Sequence, residues 1–269
     1  MTTKLRMYWW RMEHQPQRNF GDEISPLLVE EIFGRPCQWA PPHSCDIVAA
    51  GSIIEMALGM KFANRPVLWG TGFMREEDDQ ITDRDFDVVA VRGTRSRERV
   101  EDDRAGIAVG DPGLLADALL PVAPAKQYRL GVLPHFLDTE VAELDWLREQ
   151  AGVHLIDATN DPRRVVDEIA RCETLVSSSL HGLIVADSLG VPNGHIRFST
   201  NQFIGGLYKF RDYYSVFADP DRHFLLSPGQ VLGMGVAAAA DHVQERYRVP
   251  LDLARVMEDL ITSFPAGRD

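Results

Sequence analysis

The sequence lacks the motifs of several large enzyme classes. No G-x-G-x-x-G motif follows the first predicted strand, and neither a Walker A motif nor a G-x-S-x-G motif is present. These absences disfavour a nicotinamide-dependent enzyme and remove the usual signatures of P-loop NTPases and α/β-hydrolases. The histidines show no zinc-type spacing, and the three cysteines are odd in number and without metal-type spacing. The sequence therefore predicts no metal site and reduced cysteine thiols.

Positive charge is also scarce, because 28 Lys and Arg residues stand against 40 Asp and Glu residues and give a formal net charge of -12. Such a composition argues against non-specific binding to nucleic acid or to an anionic membrane, although it allows a small basic pocket for an anionic substrate. No apolar run approaches membrane-spanning length, and the N-terminal residues lack the apolar core of a signal peptide. We therefore expect a cytoplasmic protein with no membrane span and no nucleic-acid partner, of unknown oligomeric state.

Strand-like and helix-like segments alternate along the chain, which is typical of α/β proteins with parallel sheets. Apolar stretches predict five strands in the first half, at 5–10, 46–50, 67–69, 87–91 and 107–109. A proline-containing segment at 120–127 interrupts the pattern. Strands and helices then alternate again, at 129–133, 139–151, 153–156, 162–171, 174–177 and 181–189. The sequence thus predicts two doubly wound, Rossmann-like domains, 1–122 and 123–249, that face each other across a cleft, with a last helix at 250–264 packed back on the first.

The most informative stretch, 173–196, contains a short strand, three serines and an apolar helix in succession. In an open α/β sheet, the corner between strand and helix binds ligands, because the helix N-terminus offers unpaired N–H groups and a partial positive charge. Ser178, Ser179 and His181 lie at this corner. A histidine with a pKa near neutrality can give or take a proton there, and a structural role as a helix cap is the alternative. A hydrolase triad with Asp111 is disfavoured, because its nucleophile and base would crowd on one loop.

Charged residues follow two predicted elements of the first half. Asp22 opens a predicted helix at 22–33, either as its N-cap or as a carboxylate in the cleft that accepts a proton from the substrate. Pro26 would fall within the first turn of this helix, where proline is tolerated. Arg92 ends the strand at 87–91, and its guanidinium fork suits a carboxylate or a phosphate. The arginines that follow, beginning with Arg95, are expected to form mostly a solvated helix face.

Several of these segments occur together in one known family. The run SSSLHGLIVADSLGVP at 177–192 resembles the signature of the polysaccharide pyruvyl transferases, and NFGDE at 19–23 resembles their N-terminal motif. Further matching segments follow in the family's order, namely VLWGTG at 67–72, VRGTRS at 91–96, VGDP at 109–112 and KFRDYY at 209–214. The resemblance extends roughly over residues 5–217. Members of the family have two facing Rossmann-like domains, so the resemblance implies an α/β, GT-B-like fold.

The resemblance also implies a reaction, in which a pyruvyl group moves from phosphoenolpyruvate to two hydroxyls of a sugar and leaves a cyclic ketal and phosphate. By this interpretation, His181 is the general acid that protonates the methylene carbon, and Asp22 accepts the proton of a sugar hydroxyl. Arg92 is the first choice for holding the anionic donor. The other residues expected to bind substrate are Arg95, Ser178, Ser179, Gly182 and Asn19.

The implied partners are phosphoenolpyruvate and a sugar or glycan acceptor, which is lipid-linked, nucleotide-linked or polymeric. The mechanism requires neither a metal nor a nucleotide cofactor. One departure concerns the donor, because many family members have an arginine two residues before the histidine, where this chain has Ser179. Arg95 or Arg197 is then the candidate replacement. Two other functions stay open, namely a GT-B glycosyltransferase that uses a nucleotide sugar and a non-catalytic sugar-binding relative.

Overall fold

The computed structural model of the chain describes residues 4–11, 18–58, 62, 64–77, 81–82, 85–101, 106–198 and 206–265. Within these ranges the strands pair in parallel and form two large sheets, of six and five strands, and a small sheet of two. Parallel neighbours need a crossover between them, and helices supply most of these crossovers. The prediction of an α/β fold with parallel sheets is therefore confirmed.

The first sheet has the strand order β2-β1-β3-β4-β6-β8. Its half of the chain contains, in sequence, β1 (Leu5–Tyr8), α1 (Phe20–Phe33), β2 (Cys37–Trp39), β3 (Ile47–Ala49), α2 (Ile54–Leu58), β4 (Val67–Thr71), β5 (Ile81–Thr82), β6 (Asp87–Val91), α3 (Thr94–Arg97), β7 (Val100–Glu101) and β8 (Ala108–Val109). Strands β5 and β7 form the small sheet, and a 3-10 helix at Pro112–Leu119 follows β8. Strand β2 was not predicted, because it lies at the sheet edge and two of its three residues are exposed.

The second sheet has the order β10-β9-β11-β12-β13. Its elements are β9 (Leu130–Leu133), α4 (Ala142–Arg148), β10 (Val153–Leu155), α5 (Pro162–Ala170), β11 (Leu175–Ser177), α6 (Leu180–Ser188), β12 (Asn193–Ile196), α7 (Tyr208–Tyr214), β13 (Leu225–Leu226), α8 (Pro228–Met234), α9 (Val236–Arg246) and α10 (Leu253–Ser263). The segment at 120–127, between the two halves, contains neither helix nor strand.

The central strands are buried along their whole length, which explains why they appear in the sequence as continuous apolar runs rather than as alternating patterns. The amphipathic helix α10 covers the first sheet. There the indole N–H of Trp69 donates to the carbonyl of Leu260 at 3.0 Å, and Phe264 stacks on Phe33 with ring centroids 3.9 Å apart. In the part of the chain that the structure describes, no helix combines the length and apolarity needed to cross a bilayer.

Helix α1 begins two residues earlier than predicted. Its N-cap is Asn19, whose side chain accepts the Gly21 N–H, and it ends at Gly34, which has the left-handed φ of 62° that suits glycine. The prediction that Asp22 caps this helix is therefore wrong, and so is the prediction that Pro26 lies in its first turn. The helix begins earlier because Phe20 is buried in the core and Asn19, just before it, is an equally good cap.

Two glycines after strands of the first sheet permit the close approach of other groups. A Cβ on Gly93, after β6, would lie 1.9 Å from the carbonyl oxygen of Asp212 in α7. A Cβ on Gly72, after β4, would lie 2.5 Å from the guanidinium carbon of Arg92. Glycine at these two positions therefore lets α7 and the Arg92 side chain pack directly against the end of the first sheet.

Candidate functional site

Both large sheets contribute to the wall of one cavity of about 260 Å³. It lies at the carboxyl ends of several strands, which is where open parallel sheets bind ligands. Of the eight residues predicted from the sequence, six line this cavity, namely Asn19, Asp22, Arg92, Ser178, Ser179 and His181. The other two, Arg95 and Gly182, do not belong to its lining. The fold thus brings together segments that are far apart in the sequence.

His181 is the second residue of α6 and remains 8% exposed, so the ring lies in the cavity wall without being sealed in the core. On one side it packs against the start of α1, where a Cβ on Gly21 would lie 2.1 Å from the imidazole Nδ1. On the other side its Nε2 lies 3.8 Å from Oδ2 of Asp111. Burial lowers the pKa of His181 to about 4, although the nearby Asp22 carboxylate acts in the opposite direction. The imidazole is therefore neutral near pH 7 when the cavity holds no ligand.

Asp111 lies just after β8, in the VGDP segment, and was considered from the sequence as a member of the disfavoured triad but not as a site residue. Its Oδ1 accepts the Gly113 N–H at 2.9 Å and so caps the 3-10 helix. Neither its Oδ2 nor the His181 Nε2 has a hydrogen-bond partner among the described residues, and both atoms are buried. Burial also raises the pKa of Asp111 to about 6. If the His181 imidazole is protonated, the Asp111 carboxylate therefore lies next to its positive charge.

Asp22 lies half-buried in the first turn of α1. The side-chain amide of Asn19 donates to its Oδ2 at 2.6 Å, and Gly51 leaves room for its Oδ1, since a Cβ there would lie only 2.9 Å away. Burial raises the pKa of Asp22, while His181, the bond from Asn19 and Lys209 oppose this shift. Asn19 thus both caps the helix and fixes the orientation of a carboxylate whose proton affinity is above the ordinary value.

Arg92 is fully buried, and its guanidinium is already paired. Its Nε and Nη2 both approach Oδ2 of Asp212 at 2.9 Å. Its Nη2 also donates to the Phe73 carbonyl at 2.5 Å, and its Nη1 donates to Ser52. The Arg92 guanidinium, which was expected to hold the donor, is therefore already occupied. Its partner is a carboxylate 120 residues further along the chain.

The serines before α6 have different contacts. Ser178 donates to Oδ2 of Asp138 at 2.6 Å and accepts the His135 N–H at 2.8 Å, which ties the loop after β9 to the helix start. Ser179 is the N-cap residue of α6, but its side chain makes no capping bond. The N–H groups of the first turn of α6 therefore have no side-chain cap and are available to an anionic ligand.

Gly182 and Arg95 serve other purposes than lining the cavity. A Cβ on Gly182 would lie 2.3 Å from the Ser177 hydroxyl and 2.6 Å from Leu133, so this glycine allows α6 to pack closely on the second sheet. Arg95 is exposed on α3. Arg197, the other arginine considered in place of Ser179, is exposed and does line the cavity.

Lys209 is the functional candidate that the residue-by-residue interpretation of the sequence missed. It lies half-buried on α7 and lines the cavity. Its ammonium lies 5.6 Å from the centroid of the Phe210 ring, and within the described ranges it makes no hydrogen bond or ion pair. Burial, together with the nearby Arg92 charge, lowers the pKa of Lys209 to about 8. The signal available in the sequence was its place in the KFRDYY segment.

Two further histidines line the cavity, His135 and His195. The Nδ1 of His135 accepts the Leu137 N–H at 3.3 Å, whereas His195 stacks on Phe210 at 4.0 Å and places its Nδ1 2.9 Å from Nε2 of His223. Burial lowers the pKa of both His135 and His195 to about 3, so they stay neutral hydrogen-bonding groups. Among the residues that the structure describes, no three His, Cys, Asp or Glu side chains form a group that could hold a metal ion.

The chain is similar to several known proteins. A family model described as polysaccharide pyruvyl transferase matches residues 3–199. The succinoglycan biosynthesis protein ExoV of Rhizobium meliloti (strain 1021) is 27% identical over 197 residues, which are 70% of this chain and 58% of that protein. The uncharacterized protein L143 of Acanthamoeba polyphaga mimivirus is 33% identical over 121 residues, which are 43% of this chain and 42% of that protein. The chain thus spans about half the length of these relatives.

One solved structure, of an uncharacterized Klebsiella pneumoniae protein, aligns over 84% of this chain and 93% of that chain. Its TM-score is 0.46 and its sequence identity is 15%, a similarity that carries no information about function.

Proposed function

Because the chain belongs to the polysaccharide pyruvyl transferase family, we propose that it transfers a pyruvyl group from phosphoenolpyruvate to a sugar diol of a polysaccharide or its precursor. The products would be a cyclic pyruvate ketal and phosphate. The observation that carries the proposal is the presence of His181 and Asp22 in one cavity, delivered by helices that follow different sheets. As part of the proposal, residues 1–122 and 123–249 form two Rossmann-like domains in a GT-B-like arrangement.

The first step is proton transfer from His181 to the methylene carbon of the enol. The imidazole is neutral in the unliganded cavity, since burial lowers its pKa to about 4. The donor brings a carboxylate and a phosphate, and nearby negative charge favours the imidazolium form. Asp111, whose Oδ2 lies 3.8 Å from Nε2, adds a counter-charge on the other side of the ring. Donor binding therefore generates the acid that the reaction consumes.

The second step is attack of a sugar hydroxyl on the electron-poor carbon next to the methyl group. Asp22 accepts the proton of that hydroxyl, and its pKa, raised by burial, makes it a better base than an ordinary surface carboxylate. A second hydroxyl then displaces phosphate and closes the ketal. Of the two hydroxyl protons, one replaces the proton that His181 delivered and the other leaves with the phosphate. No metal and no nucleotide cofactor enters this sequence.

The cavity also limits the part of the acceptor that reacts. Pockets for drug-sized ligands measure roughly 300–1,000 Å³, and this cavity, of about 260 Å³, is smaller. It suits the three-carbon donor together with one sugar ring. Trp10 and Phe136, whose ring centroids lie 5.6 Å apart in the wall, offer an apolar surface to such a ring. The remainder of a polymeric or lipid-linked acceptor would extend into solvent.

Phosphate release from phosphoenolpyruvate, measured with a panel of glycan acceptors, tests the proposal. His181→Ala should reduce the rate by at least about 100-fold, the usual contribution of a general acid. His43→Ala is the matched control, because His43 is exposed and lies outside the cavity lining. Full activity of His181→Ala would exclude the mechanism. Saturable binding of a sugar nucleotide, with no turnover of phosphoenolpyruvate, would favour a glycosyltransferase instead.

A further inference from the structure

The turn after β9, at residues 135–138, is held in place by contacts within the protein. The Asp138 N–H donates to the His135 carbonyl at 2.7 Å, which closes the turn. The Ser178 hydroxyl, just before α6, accepts the His135 N–H at 2.8 Å and donates to Oδ2 of Asp138 at 2.6 Å. Both ends of the turn are therefore tied to the start of α6. The position of His135 in the cavity wall is thus fixed before a ligand binds.

The same turn determines which nitrogen of the His135 ring carries the proton. Its Nδ1 accepts the Leu137 N–H at 3.3 Å, so this nitrogen carries no proton. Burial lowers the pKa of His135 to about 3, so the ring is neutral near pH 7 and its single proton is on Nε2. Within the described ranges Nε2 has no hydrogen-bond partner, and it is not one of the buried atoms that lack one. His135 therefore offers a neutral N–H donor in the cavity wall.

This donor lies on the aromatic side of the cavity. The centroid of the His135 ring is 4.5 Å from that of Phe136, which in turn is 5.6 Å from that of Trp10. All three side chains line the cavity. A sugar ring has apolar C–H faces and hydroxyls around its edge, so it needs an apolar surface with a polar group beside it that fixes its orientation. His135 supplies such a group directly next to the Phe136 ring.

The neutrality of the His135 ring favours the sugar over the other substrate. The carboxylate and phosphate of phosphoenolpyruvate are matched best by cations, whereas the hydroxyl of a sugar is matched by a neutral donor. His195, the other neutral histidine considered above, is less suited to this role. Its Nδ1 lies 2.9 Å from Nε2 of His223, so a second imidazole rather than the backbone determines its tautomer.

We propose that His135 is an acceptor-binding residue, whose Nε2–H donates to a hydroxyl oxygen of the sugar that lies against Phe136 and Trp10. This bond fixes the rotation of the sugar in the cavity and so determines which pair of hydroxyls faces Asp22 and His181. The inference rests on the proposed function for the statement that the bound sugar receives the pyruvyl group. Sugar binding through His135 can nevertheless be measured without turnover.

Tryptophan fluorescence of the whole chain, titrated with the methyl glycosides of galactose, glucose and mannose, tests the assignment, because Trp10 lines the cavity. His135→Phe keeps an aromatic ring but removes the donor, so it should weaken binding of the best glycoside about 3-fold to 10-fold, the loss expected for one neutral hydrogen bond. His135→Gln keeps an N–H near the position of Nε2 and should bind within about twofold of the wild type. His154→Phe is the matched control, because His154 stacks on Tyr128 at 4.0 Å and lies outside the cavity lining. Unchanged thermal unfolding of the three variants would show that the fold is intact.

Monodeoxy derivatives of the best glycoside supply a readout that a purely structural histidine would not change. The wild type should lose affinity for the derivative that lacks the hydroxyl held by His135, because the fixed N–H is then left without a partner. His135→Gln should still distinguish this derivative from the parent glycoside, whereas His135→Phe should bind the two equally. The same discrimination by His135→Phe and the wild type would contradict the assignment.

Binding and turnover together separate this inference from the proposed function. Wild-type affinity of His135→Phe for the glycosides would overturn the role of His135 and leave pyruvyl transfer standing. If the wild type binds a glycoside through His135 but releases no phosphate from phosphoenolpyruvate, the sugar site is retained and the proposed function fails. Binding of none of the three glycosides by the wild type would overturn the inference, whatever the measurements of phosphate release show.

Discussion

Two buried arginine–aspartate pairs contact α7, and they differ in what surrounds them. The sealed pair, Arg222 and Asp187, is almost fully buried, and Tyr213 and Tyr247 donate their hydroxyls to Asp187 at 2.6 and 3.0 Å. In the cavity pair, Arg92 and Asp212, the arginine lines the candidate site and the aspartate lies outside the lining. Both pairs are buried and closely paired. They differ because Arg92 borders a cavity of about 260 Å³, whereas the small cleft beside Arg222 has no room for a water molecule.

The comparison shows that burial of an ion pair does not by itself indicate function, because structural networks bury charges too. The sealed pair joins the end of α6 to α7 and to the 3-10 helix that carries Arg222. The cavity pair joins α7 to the end of β6 and thereby positions Lys209. We therefore expect loss of the sealed pair to affect mainly stability, and loss of the cavity pair to affect both stability and activity.

The largest effect on stability is expected for Asp187→Ala. This change leaves the Arg222 charge buried without its counter-ion and removes the acceptor of Tyr213, Tyr247 and Asn193. The free energy of unfolding should fall by about 3–5 kcal/mol, as for other broken buried pairs. Urea denaturation measures it. A loss below about 1 kcal/mol would mean that the sealed pair is not the stabilising element we describe.

A smaller loss of stability is expected for Asp212→Ala. The Arg92 guanidinium keeps its bonds to Ser52 and to the Phe73 carbonyl, so the free energy of unfolding should fall by about 1–3 kcal/mol, the cost of one unsatisfied charged partner. The rate of phosphate release should also fall at least about tenfold, because α7 loses its anchor to β6 and Lys209 is displaced. The comparison fails if Asp212→Ala is as unstable as Asp187→Ala, or if it retains full activity.

The smallest effect on stability is expected for Asp111→Asn, because the Asp111 carboxylate forms an ion pair only when His181 is protonated. The amide can still accept the Gly113 N–H, so the free energy of unfolding should change by less than about 1 kcal/mol. Without the carboxylate 3.8 Å from its Nε2, however, the pKa of His181 in the donor complex should fall. The alkaline limb of the pH profile for phosphate release would then shift to lower pH. A pH profile that does not shift would show that Asp111 does not influence the protonation of His181.

Much of the fold was accessible from the sequence, because buried parallel strands produce continuous apolar runs. Every strand predicted from such a run has a counterpart in the first or second sheet. Strand β2 was missed because it is partly exposed, and β13 was missed because it has only two residues, one of them exposed. The start of α1 was misplaced because Asn19 and Asp22 are both good caps, and only packing of Phe20 decides between them.

The site was predicted less completely, for a different reason. Strand ends and helix starts identify positions near the cavity, which is why Asp22, Arg92 and His181 were found, whereas Asn19 was added by the family resemblance. The charge state of such a position depends on partners from elsewhere in the chain. Asp212 neutralises Arg92 from 120 residues away, and no local pattern indicates that contact. Lys209, by contrast, was missed because it does not follow a strand. Its place in the cavity wall depends on the long-range contacts that anchor α7.

The absence of a side chain at residue 21 has a consequence for how acceptor preference can diverge among enzymes of this kind. A methyl group there would collide with the imidazole of residue 181, at 2.1 Å from its Nδ1, so no bulkier amino acid fits without displacing the ring. Asp22 follows this glycine directly, so the spacing between the proposed proton donor and the proposed proton acceptor depends on glycine at residue 21. New sugar specificities would then arise through substitutions of Trp10 and Phe136, whereas the distance between residues 22 and 181 stays the same.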